Sequence, residues 1–248
     1  MSALLRSRLV VSPAIVVLTV AALKLWVGSR HLDTIASRSL SGAALGDALG
    51  QHAKLCAVGI AITLAIALPL GVLLTRPGGR LLVPAALGLA NVGQATPAIG
   101  VLALLVILYG IGFKIAVISL VAYCVLPVLR NTIAGIEGVD PQLLDAARGQ
   151  GMSRLGVLWH VELPLAVPVI LAGIRTALVF AVGVATLATF VNAGGLGDLI
   201  VAGIKTQRET VMVTGAAATA CFALTVDWVA EIAERALTPR GITSESAL

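Results

Sequence analysis

Long apolar runs separated by short polar segments dominate the chain. Six runs stand out, at residues 9–27, 55–74, 81–113, 115–128, 165–191 and 211–230. A helix needs about 20 mostly apolar residues to cross the hydrocarbon core of a bilayer. The pattern therefore predicts an all-α membrane protein with about six transmembrane helices. The alternating segments that are typical of a membrane β-barrel are absent from the sequence.

The third run is too long for a single crossing. It carries no charge over residues 81–113, and as one helix it would measure about 50 Å. Within it, Pro97 removes an internal helix bond and disfavours helical geometry at Thr96. We predict a broken helix followed by a span to about Tyr109. Because irregular backbone at membrane depth must be covered by protein or line a cavity, Gln94, Thr96 and Pro97 are candidates for lining a path or gate. A buried kink that only shapes packing is the alternative.

Composition favours a packed bundle. The chain is 58% hydrophobic and 12% charged, and it contains 26 glycines. Small residues allow close helix approach in a lipid environment. The cysteines Cys56, Cys124 and Cys221 lie in separate runs without the spacing of a metal site, so we expect packed apolar residues and no metal. The net charge of +5 is attributed to membrane topology and not to nucleic-acid binding.

The pattern divides the chain into three parts. Residues 1–40 are predicted to hold an N-terminal anchor helix and the start of an outer loop, residues 41–240 a transmembrane domain, and residues 241–248 a tail. A basic start before an apolar run also fits a signal peptide, but no small-x-small cleavage site follows the run, so a retained anchor is preferred. The polar connection 28–54 is interpreted as a loop in which His31 and His52 are solvated.

Basic residues set the predicted orientation, since cytoplasmic loops carry an excess of Lys and Arg. With the N-terminus in the cytoplasm, nine basic residues fall on the cytoplasmic face and six on the other. The nine are Arg6, Arg8, Arg76, Arg80, Arg130, Arg148, Arg154, Arg235 and Arg240. The six are Arg30, Arg38, Lys54, Lys114, Lys205 and Arg208. This bias places the polar segment 135–164 in the cytoplasm and the Gly-rich stretch NAGGLGDL (192–199) outside. That stretch is interpreted as a flexible turn, with a role in contacting another protein on that face as the alternative.

One polar segment is longer than a connection requires. Residues 135–164, hereafter the 135–164 loop, include the stretch DAARGQGMSRLGVLWHVELP. Asp140 is a favoured N-cap, and Pro141 suits the first helical position. Glycines end this helix, and Ser153 can cap a second turn. Two short helices that meet at a glycine corner suit docking into a groove of another protein. An ordinary interfacial helix packed on its own bundle is equally compatible with these residues.

The spacing in this loop resembles a signature of ABC importer permeases. That signature reads E-A-A, three residues, G, nine residues, I-x-L-P. Here Asp145-Ala146-Ala147 is followed by Gly151 and then by Val161-Glu162-Leu163-Pro164, with Asp and Val at the usual Glu and Ile positions. From about residue 50 to residue 241 the chain is similar to permeases of the osmoprotectant (glycine betaine, carnitine, choline) uptake branch. Stretches that carry this resemblance include VGQATPAIGVLALL, VLPVLRNTIAGIEGV and ATLATFVNAGGLGDLI.

The resemblance implies a type I (MetI-like) permease core with an extra N-terminal helix, in a bacterial cytoplasmic (inner) membrane. It also implies that the 135–164 loop is a coupling helix seated in a cleft of a separate ATPase. In that role Asp145 anchors the helix or meets a basic group of the ATPase. The contact is formed by Ala146, Ala147, Gly151 and Met152. Leu163 and Pro164 pass the motion of the helix to the next span.

The resemblance further implies several partners besides membrane lipid. They are the ATPase, a second permease copy and a separate extracytoplasmic substrate-binding protein. The chain has no G-x-x-x-x-G-K-[ST] loop, so we expect no catalytic residue and no cofactor here, with ATP and Mg held by the ATPase. No aromatic cage for a quaternary ammonium group is visible in the spans, so tight recognition is expected on the binding protein. The rival interpretations are a permease for another small substrate such as an amino acid and, more distantly, a stand-alone secondary transporter.

Two ionisable residues are expected within the spans, Arg175 and Asp227. A charge at the centre of a span costs about 2.5–3.5 kcal/mol on insertion scales. Arg175 follows the start of its run by about 15 Å if helical, and Asp227 approaches the same half from the last run. We predict that they pair. The alternative is that Arg175 extends to the interface and Asp227 lies near it independently.

Overall fold

A computed structural model describes the backbone of residues 3–238 and the side chains of residues 10–238. The predicted tail 241–248, Arg240, and the side chains of Arg6 and Arg8 lie outside the described residues. Within residues 3–238 the regular structure is entirely helical. The prediction of an all-α protein is confirmed.

The helices follow one another with short connections. They are α1 Ala3–Gly28, α2 Thr34–Ser39, α3 Gly42–Leu74, α4 Val83–Ala95, α5 Ala98–Tyr109, α6 Phe113–Glu137, α7 Pro141–Gly149, α8 Arg154–Val157, α9 Leu163–Ala185, α10 Leu196–Lys205 and α11 Glu209–Leu237. Two 3₁₀ turns, Arg80–Leu82 and Thr186–Val191, precede α4 and follow α9, and a π-helical turn, Leu158–Glu162, joins α8 to α9.

Five helical stretches are long and apolar enough to cross a membrane, and the pair α4 and α5 raises the number to as many as six. These two helices meet at an angle of 96°, so the break predicted in the third run is present. Its position at Thr96 and Pro97 follows from the missing proline N–H. The prediction of about six spans is confirmed.

Helix α6 forms the centre of the bundle, between α3 and α9. Its buried side chains, including Leu120, Cys124 and Leu129, belong to the main apolar core. Glycines set the close approach of its neighbours. A Cβ at Gly71 of α3 would lie 2.6 Å from the side chain of Thr132, and a Cβ at Gly173 of α9 would lie 2.7 Å from the Pro127 carbonyl oxygen. Small residues therefore determine helix spacing, as expected where lipid supplies no hydrophobic drive between helices.

The polar connection 28–54 is not the solvated loop predicted from its composition. It contains α2 and the first turns of α3, which begin where the Ser41 hydroxyl accepts from the Ala44 N–H at 3.3 Å. His52 is fully buried, whereas His31 is exposed. The interpretation of His52 as solvated is therefore wrong. His52 lies in a polar segment of the sequence, which favours solvation. Its hydrogen-bond partners lie more than a hundred residues away along the chain, so the local sequence does not indicate them.

Those partners hold the Gly-rich stretch in place. The Leu196 N–H donates to His52 Nδ1 at 3.3 Å, and His52 Nε2 lies 3.2 Å from the Val182 carbonyl oxygen. The Gly195 N–H donates to Gln51 Oε1 at 3.1 Å. With Nδ1 accepting, the ring proton is on Nε2 and donates to Val182. The turn at 192–195 is thus clamped to α3 by hydrogen bonds, and residue 196 begins α10, a helix that the sequence did not predict.

A surface ion pair ties α2 to the connection before α11. The Arg208 guanidinium donates to Asp33 at 2.9 Å and 2.6 Å, and Asp33 also caps α2 through the Ala36 N–H. The hydrogen bond from Arg208, with that of the cap, lowers the pKa of Asp33 below its ordinary value. The pair lies at the end of the bundle opposite to the 135–164 loop.

Candidate functional site

The 135–164 loop is built by the caps that its sequence predicts. The carboxylate of Asp140 accepts from the Gln142 N–H at 2.8 Å, with Pro141 at the start of α7. The hydroxyl of Ser153 accepts from the Gly156 N–H at 3.1 Å and opens α8. Each cap satisfies a backbone donor that the first helical turn leaves free. The predicted pair of short helices with a glycine corner is confirmed.

Gly151 forms that corner. Its φ is +87°, and its N–H donates to the Arg148 carbonyl at 2.9 Å, while the Met152 N–H donates to the Ala147 carbonyl at 3.2 Å. This pair of bonds is a Schellman motif, in which the left-handed position after the helix favours glycine. A Cβ there would meet no atom within 4 Å. The backbone angle, and not the space, therefore requires glycine.

The predicted contact residues do not all face outward. Ala146, Gly151 and Met152 are exposed, but Ala147 is only 6% exposed and packs within the chain. The flat face expected of Ala146 and Ala147 is therefore divided between the surface and the interior, because consecutive helical residues point in different directions. Exposed apolar side chains that the sequence reading did not select extend the surface. They are Leu143, Leu155 and Trp159.

Asp145 lies on the same surface and pairs locally. Its carboxylate accepts from Arg148 at 3.2 Å within α7, with both side chains more than half exposed. An exposed pair of this kind contributes little to stability. The carboxylate of Asp145 therefore remains available to a partner.

Leu163 and Pro164 begin α9 directly after the π turn. Glu162, the last residue of that turn, is 6% exposed, and its carboxylate accepts from the guanidinium of Arg76. Arg76 follows α3 in the sequence, so the pair connects the base of the loop with another span. This pair was not predicted from the sequence. Glu162 occupies the variable position of the signature, so the signature itself assigns it no role.

The break between α4 and α5 is fixed by α6. The break leaves the Thr96 carbonyl without a helical donor, and the Tyr123 hydroxyl donates to it. In return, Pro127 deprives the Tyr123 carbonyl of its helical donor, and Gln94 Nε2 approaches that carbonyl at 3.4 Å. Each irregularity is thus compensated by a side chain from the other element, as membrane-embedded backbone requires. Gln94 and Thr96 are drawn together with Tyr123, and Pro97 begins the second arm.

Arg175 and Asp227 are in direct contact. Arg175 Nε lies 2.5 Å from Asp227 Oδ1, and a second guanidinium nitrogen lies 2.8 Å from Oδ2, which is a bidentate geometry. The same guanidinium reaches Glu231 at 3.3 Å and Glu234 at 3.7 Å. The contacts with the two glutamates were not predicted from the sequence. Positions 227, 231 and 234 share one helical face, and this spacing could have indicated them.

The charged side chains of the bundle form ion pairs and not a cluster of metal ligands. Among the side chains of residues 10–238, no group of three or more His, Cys, Asp or Glu is placed to hold a metal ion. The three cysteines are free and buried.

A known protein family matches the part of the chain that contains most of these elements. The family described as "Binding-protein-dependent transport system inner membrane component" matches residues 67–240. That match covers the helix break, the 135–164 loop and the ion cluster around Arg175.

Curated relatives agree with this match. The glycine betaine/carnitine/choline transport system permease protein OpuCB of Bacillus subtilis is 38% identical over 193 residues, which are 78% of this chain and 88% of the relative. The osmoprotectant import permease protein OsmY of Salmonella typhimurium is 37% identical over 229 residues, which are 92% of this chain and 94% of the relative. The resemblance stated from the sequence is confirmed.

A solved structure shows the same fold. One chain of the MetNI methionine ABC transporter, described in inward-facing conformations, superimposes with a TM-score of 0.68 and 24% identity. The superposition covers 79% of this chain and 96% of that chain. The predicted permease fold is confirmed.

Proposed function

This chain belongs to the family of binding-protein-dependent transport system inner membrane components, and on that premise we propose that it is the permease subunit of an ATP-driven importer of compatible solutes. The proposed substrates are glycine betaine, choline, carnitine or similar quaternary ammonium compounds. The names of the relatives support this substrate class. The proposal gives the chain no enzymatic step and no cofactor, and it assigns ATP and Mg to a separate ATPase.

The observation that carries the proposal is the surface of the 135–164 loop. A capped helical pair exposes Ala146, Gly151 and Met152 beside the larger apolar side chains Leu155 and Trp159. An apolar surface of this kind on a polar loop is suited to a protein groove. The ATPase is proposed to receive it, with Asp145 meeting a basic group there.

Motion then passes from the loop into the bundle. Leu163 and Pro164 connect the loop directly to α9, which packs along α6 and carries the ion cluster at Arg175. For ATP to drive this motion, the ATPase must bind the two conformations of the permease with different affinities. The pair of Arg175 and Asp227 is proposed to hold α9 and α11 together, so that both move as one unit.

The break between α4 and α5 is the proposed wall or gate of the substrate path, with Gln94, Thr96 and Pro97 at its apex. The path itself is proposed to lie between two permease copies, identical or related. The exposed apolar side chains of the two arms, including Leu89 and Ile107, are suited to lipid or to that second copy.

Orientation and partners complete the proposal. The N-terminus and the 135–164 loop are placed in the cytoplasm of a bacterium, on the basis of the excess of basic residues. A separate extracytoplasmic binding protein delivers substrate to the opposite end, where the clamped turn at 192–195 lies.

Uptake by a reconstituted complex tests the proposal. Proteoliposomes would contain the permease and its cognate ATPase, with ATP inside and the cognate binding protein outside. We expect ATP-dependent uptake of radiolabelled glycine betaine, choline or carnitine, and no inhibition by excess methionine. Uptake of an amino acid but of none of these three compounds would contradict the proposed substrate class. Uptake by proteoliposomes that lack the ATPase would contradict the proposal of an ATP-driven importer.

A further inference from the structure

A charge pair with a buried carboxylate and a partly exposed guanidinium connects the base of the 135–164 loop to a second span. We propose that Arg76 and Glu162 are positioning residues that link the 135–164 loop to α3 and, through the turn 75–80, to the helix break. This inference rests on the proposed function and extends it. Loop motion would reach α4 as well as α9.

Glu162 is placed to act as a fixed point. Its side chain is 8% exposed, and Arg76 is its ion-pair partner among the described residues. Arg76 reaches both carboxylate oxygens of Glu162, one of them at 3.4 Å. A buried carboxylate is costly without a partner, so the structure ties this part of the loop to Arg76. The π turn that ends at Glu162 is a local departure from α-helical geometry of a kind frequent at functional sites.

Arg76 is itself anchored at the end of α3. Its Nε lies 3.3 Å from the Val72 carbonyl oxygen and 3.3 Å from Thr75 Oγ1, and a terminal nitrogen lies 2.9 Å from the same hydroxyl. The guanidinium therefore bridges the last turn of α3 and the loop. A planar group with several donors suits this bridge better than the single ammonium of lysine.

The turn after Arg76 carries the link onward. A Cβ at Gly79 would lie 2.3 Å from the Leu73 carbonyl oxygen, so the turn folds tightly against the end of α3. The 3₁₀ turn and α4 follow at once, and α4 ends at the break. Six residues, 77–82, separate Arg76 from α4, and the last three of them form the 3₁₀ turn. A displacement of Glu162 would therefore move α4 and, with it, Gln94 and Thr96 at the helix break.

A neighbouring pair provides the matched control. Arg80, in the same turn, lies 3.8 Å from Glu137 at the end of α6, with side-chain exposures of 66% and 41%. This pair joins the same turn to the bundle, but it is exposed and long. Exposed pairs contribute little, so its loss removes charge from the turn without removing a buried connection.

The test compares uptake with ATP hydrolysis in the reconstituted complex. Arg76→Gln and Glu162→Gln should each lower glycine betaine uptake per ATP hydrolysed by about 5- to 150-fold, the usual range of coupling between two sites. The ATPase should still co-purify. The double variant should be no worse than either single variant, because both remove one link. Arg80→Gln with Glu137→Gln should keep the wild-type ratio.

An unchanged ratio in Arg76→Gln and Glu162→Gln would overturn the proposal, including the case in which uptake and hydrolysis fall in proportion. If the neutral variants fail to assemble with the ATPase, the Arg76→Lys variant tests the link instead. Lysine keeps the positive charge but loses the bidentate contact with Glu162. We expect full assembly with the ATPase and a ratio of uptake to ATP hydrolysis between those of the wild type and the neutral variants. A wild-type ratio in Arg76→Lys would then overturn the link.

A second readout separates this link from the proposed function. Spin labels at Gln142 in the loop and Leu89 in α4, both exposed, report the distance between the two elements in the permease. Glu162→Gln should broaden that distance distribution, and the control pair should not. An unaltered distribution in Glu162→Gln would overturn the link. A wild-type complex without ATP-dependent uptake would instead refute the proposed function.

Discussion

Replacing Gly151 by alanine tests whether the corner of the 135–164 loop is required by an ATPase. The added methyl group meets no atom within 4 Å, so the substitution creates no clash. It acts only through the backbone, because φ at this position is +87°. The Schellman bonds from Gly151 and Met152 can persist only if the new residue accepts that angle.

The magnitude follows from this conformation. A non-glycine residue held in the left-handed region costs about 1–3 kcal/mol. If the loop relaxes to another conformation and the ATPase binds only the native corner, the apparent affinity falls in proportion to the native population. The loss of affinity is then bounded at about 5- to 150-fold.

The assay is the affinity of the detergent-solubilised permease for its cognate ATPase, measured by titration. Gly149→Ala is the matched control, since this residue ends α7 and its Cβ also meets no atom within 4 Å, but its φ is not positive. Gly151→Asn gives a graded test, because asparagine visits the left-handed region more readily than alanine. We expect the affinities to fall in the order Gly, Asn, Ala at position 151 and to stay unchanged at position 149.

Equal affinities for Gly151→Ala and Gly149→Ala would refute this reasoning. So would an asparagine variant that binds more weakly than the alanine variant, because the effect would then follow side-chain size and not the backbone angle.

Three further predictions concern the bundle and its far end. Gly173→Ala places a methyl carbon 2.7 Å from a carbonyl oxygen of α6 and should lower the free energy of unfolding in SDS by about 1–3 kcal/mol. Gly183→Ala on the same helix meets no atom within 4 Å and should raise it by up to about 1 kcal/mol, so equal effects would contradict the close packing. In the same titration, Arg175→Gln should cost more than Asp227→Asn, because Arg175 pairs with Asp227, Glu231 and Glu234, whereas Asp227→Asn leaves both glutamate contacts of Arg175 in place. The double variant should fall short of additivity by about 0.5–3 kcal/mol; strict additivity would argue against a coupled pair. Because the pKa of Asp33 is lowered, its ion pair adds stability above the unfolded pKa that is lost as the pH falls through the folded pKa. The stability difference between wild type and Asp33→Asn should therefore disappear only below about pH 4, and its loss near neutral pH would contradict this pairing.

The helical framework could be read from the sequence because its signals are local. Apolar length marks the spans, Pro97 marks the break, and Asp140, Ser153 and Gly151 mark the ends of the loop helices. Each of these residues acts on backbone groups within a few positions of itself. The bounds of the apolar runs are not the bounds of the helices. Helix α6 continues to Glu137, beyond the end of its apolar run at residue 128, because a helix can leave the apolar region without ending.

The contacts that organise the candidate site are long-range, and the sequence does not display them. His52 finds its partner across 144 residues, and Arg76 finds Glu162 across 86. The position of His52 in a polar connection predicts solvation, but a polar side chain can also be buried where it has hydrogen-bond partners, as His52 has. The acidic residues Glu231 and Glu234 of α11 are an exception among these long-range contacts, because their helical spacing is visible in the sequence. The predicted domain bounds and the roles of the site residues stay predictions.

A photocrosslinking residue at Met152 tests the central claim most directly. The central claim is that the 135–164 loop docks an ATPase. In intact cells the label at Met152, which is exposed, should capture the cognate ATPase subunit. A label at Ile204, exposed at the opposite end of the bundle, should not capture it. Capture of the ATPase from Ile204, or from neither position, would contradict the account.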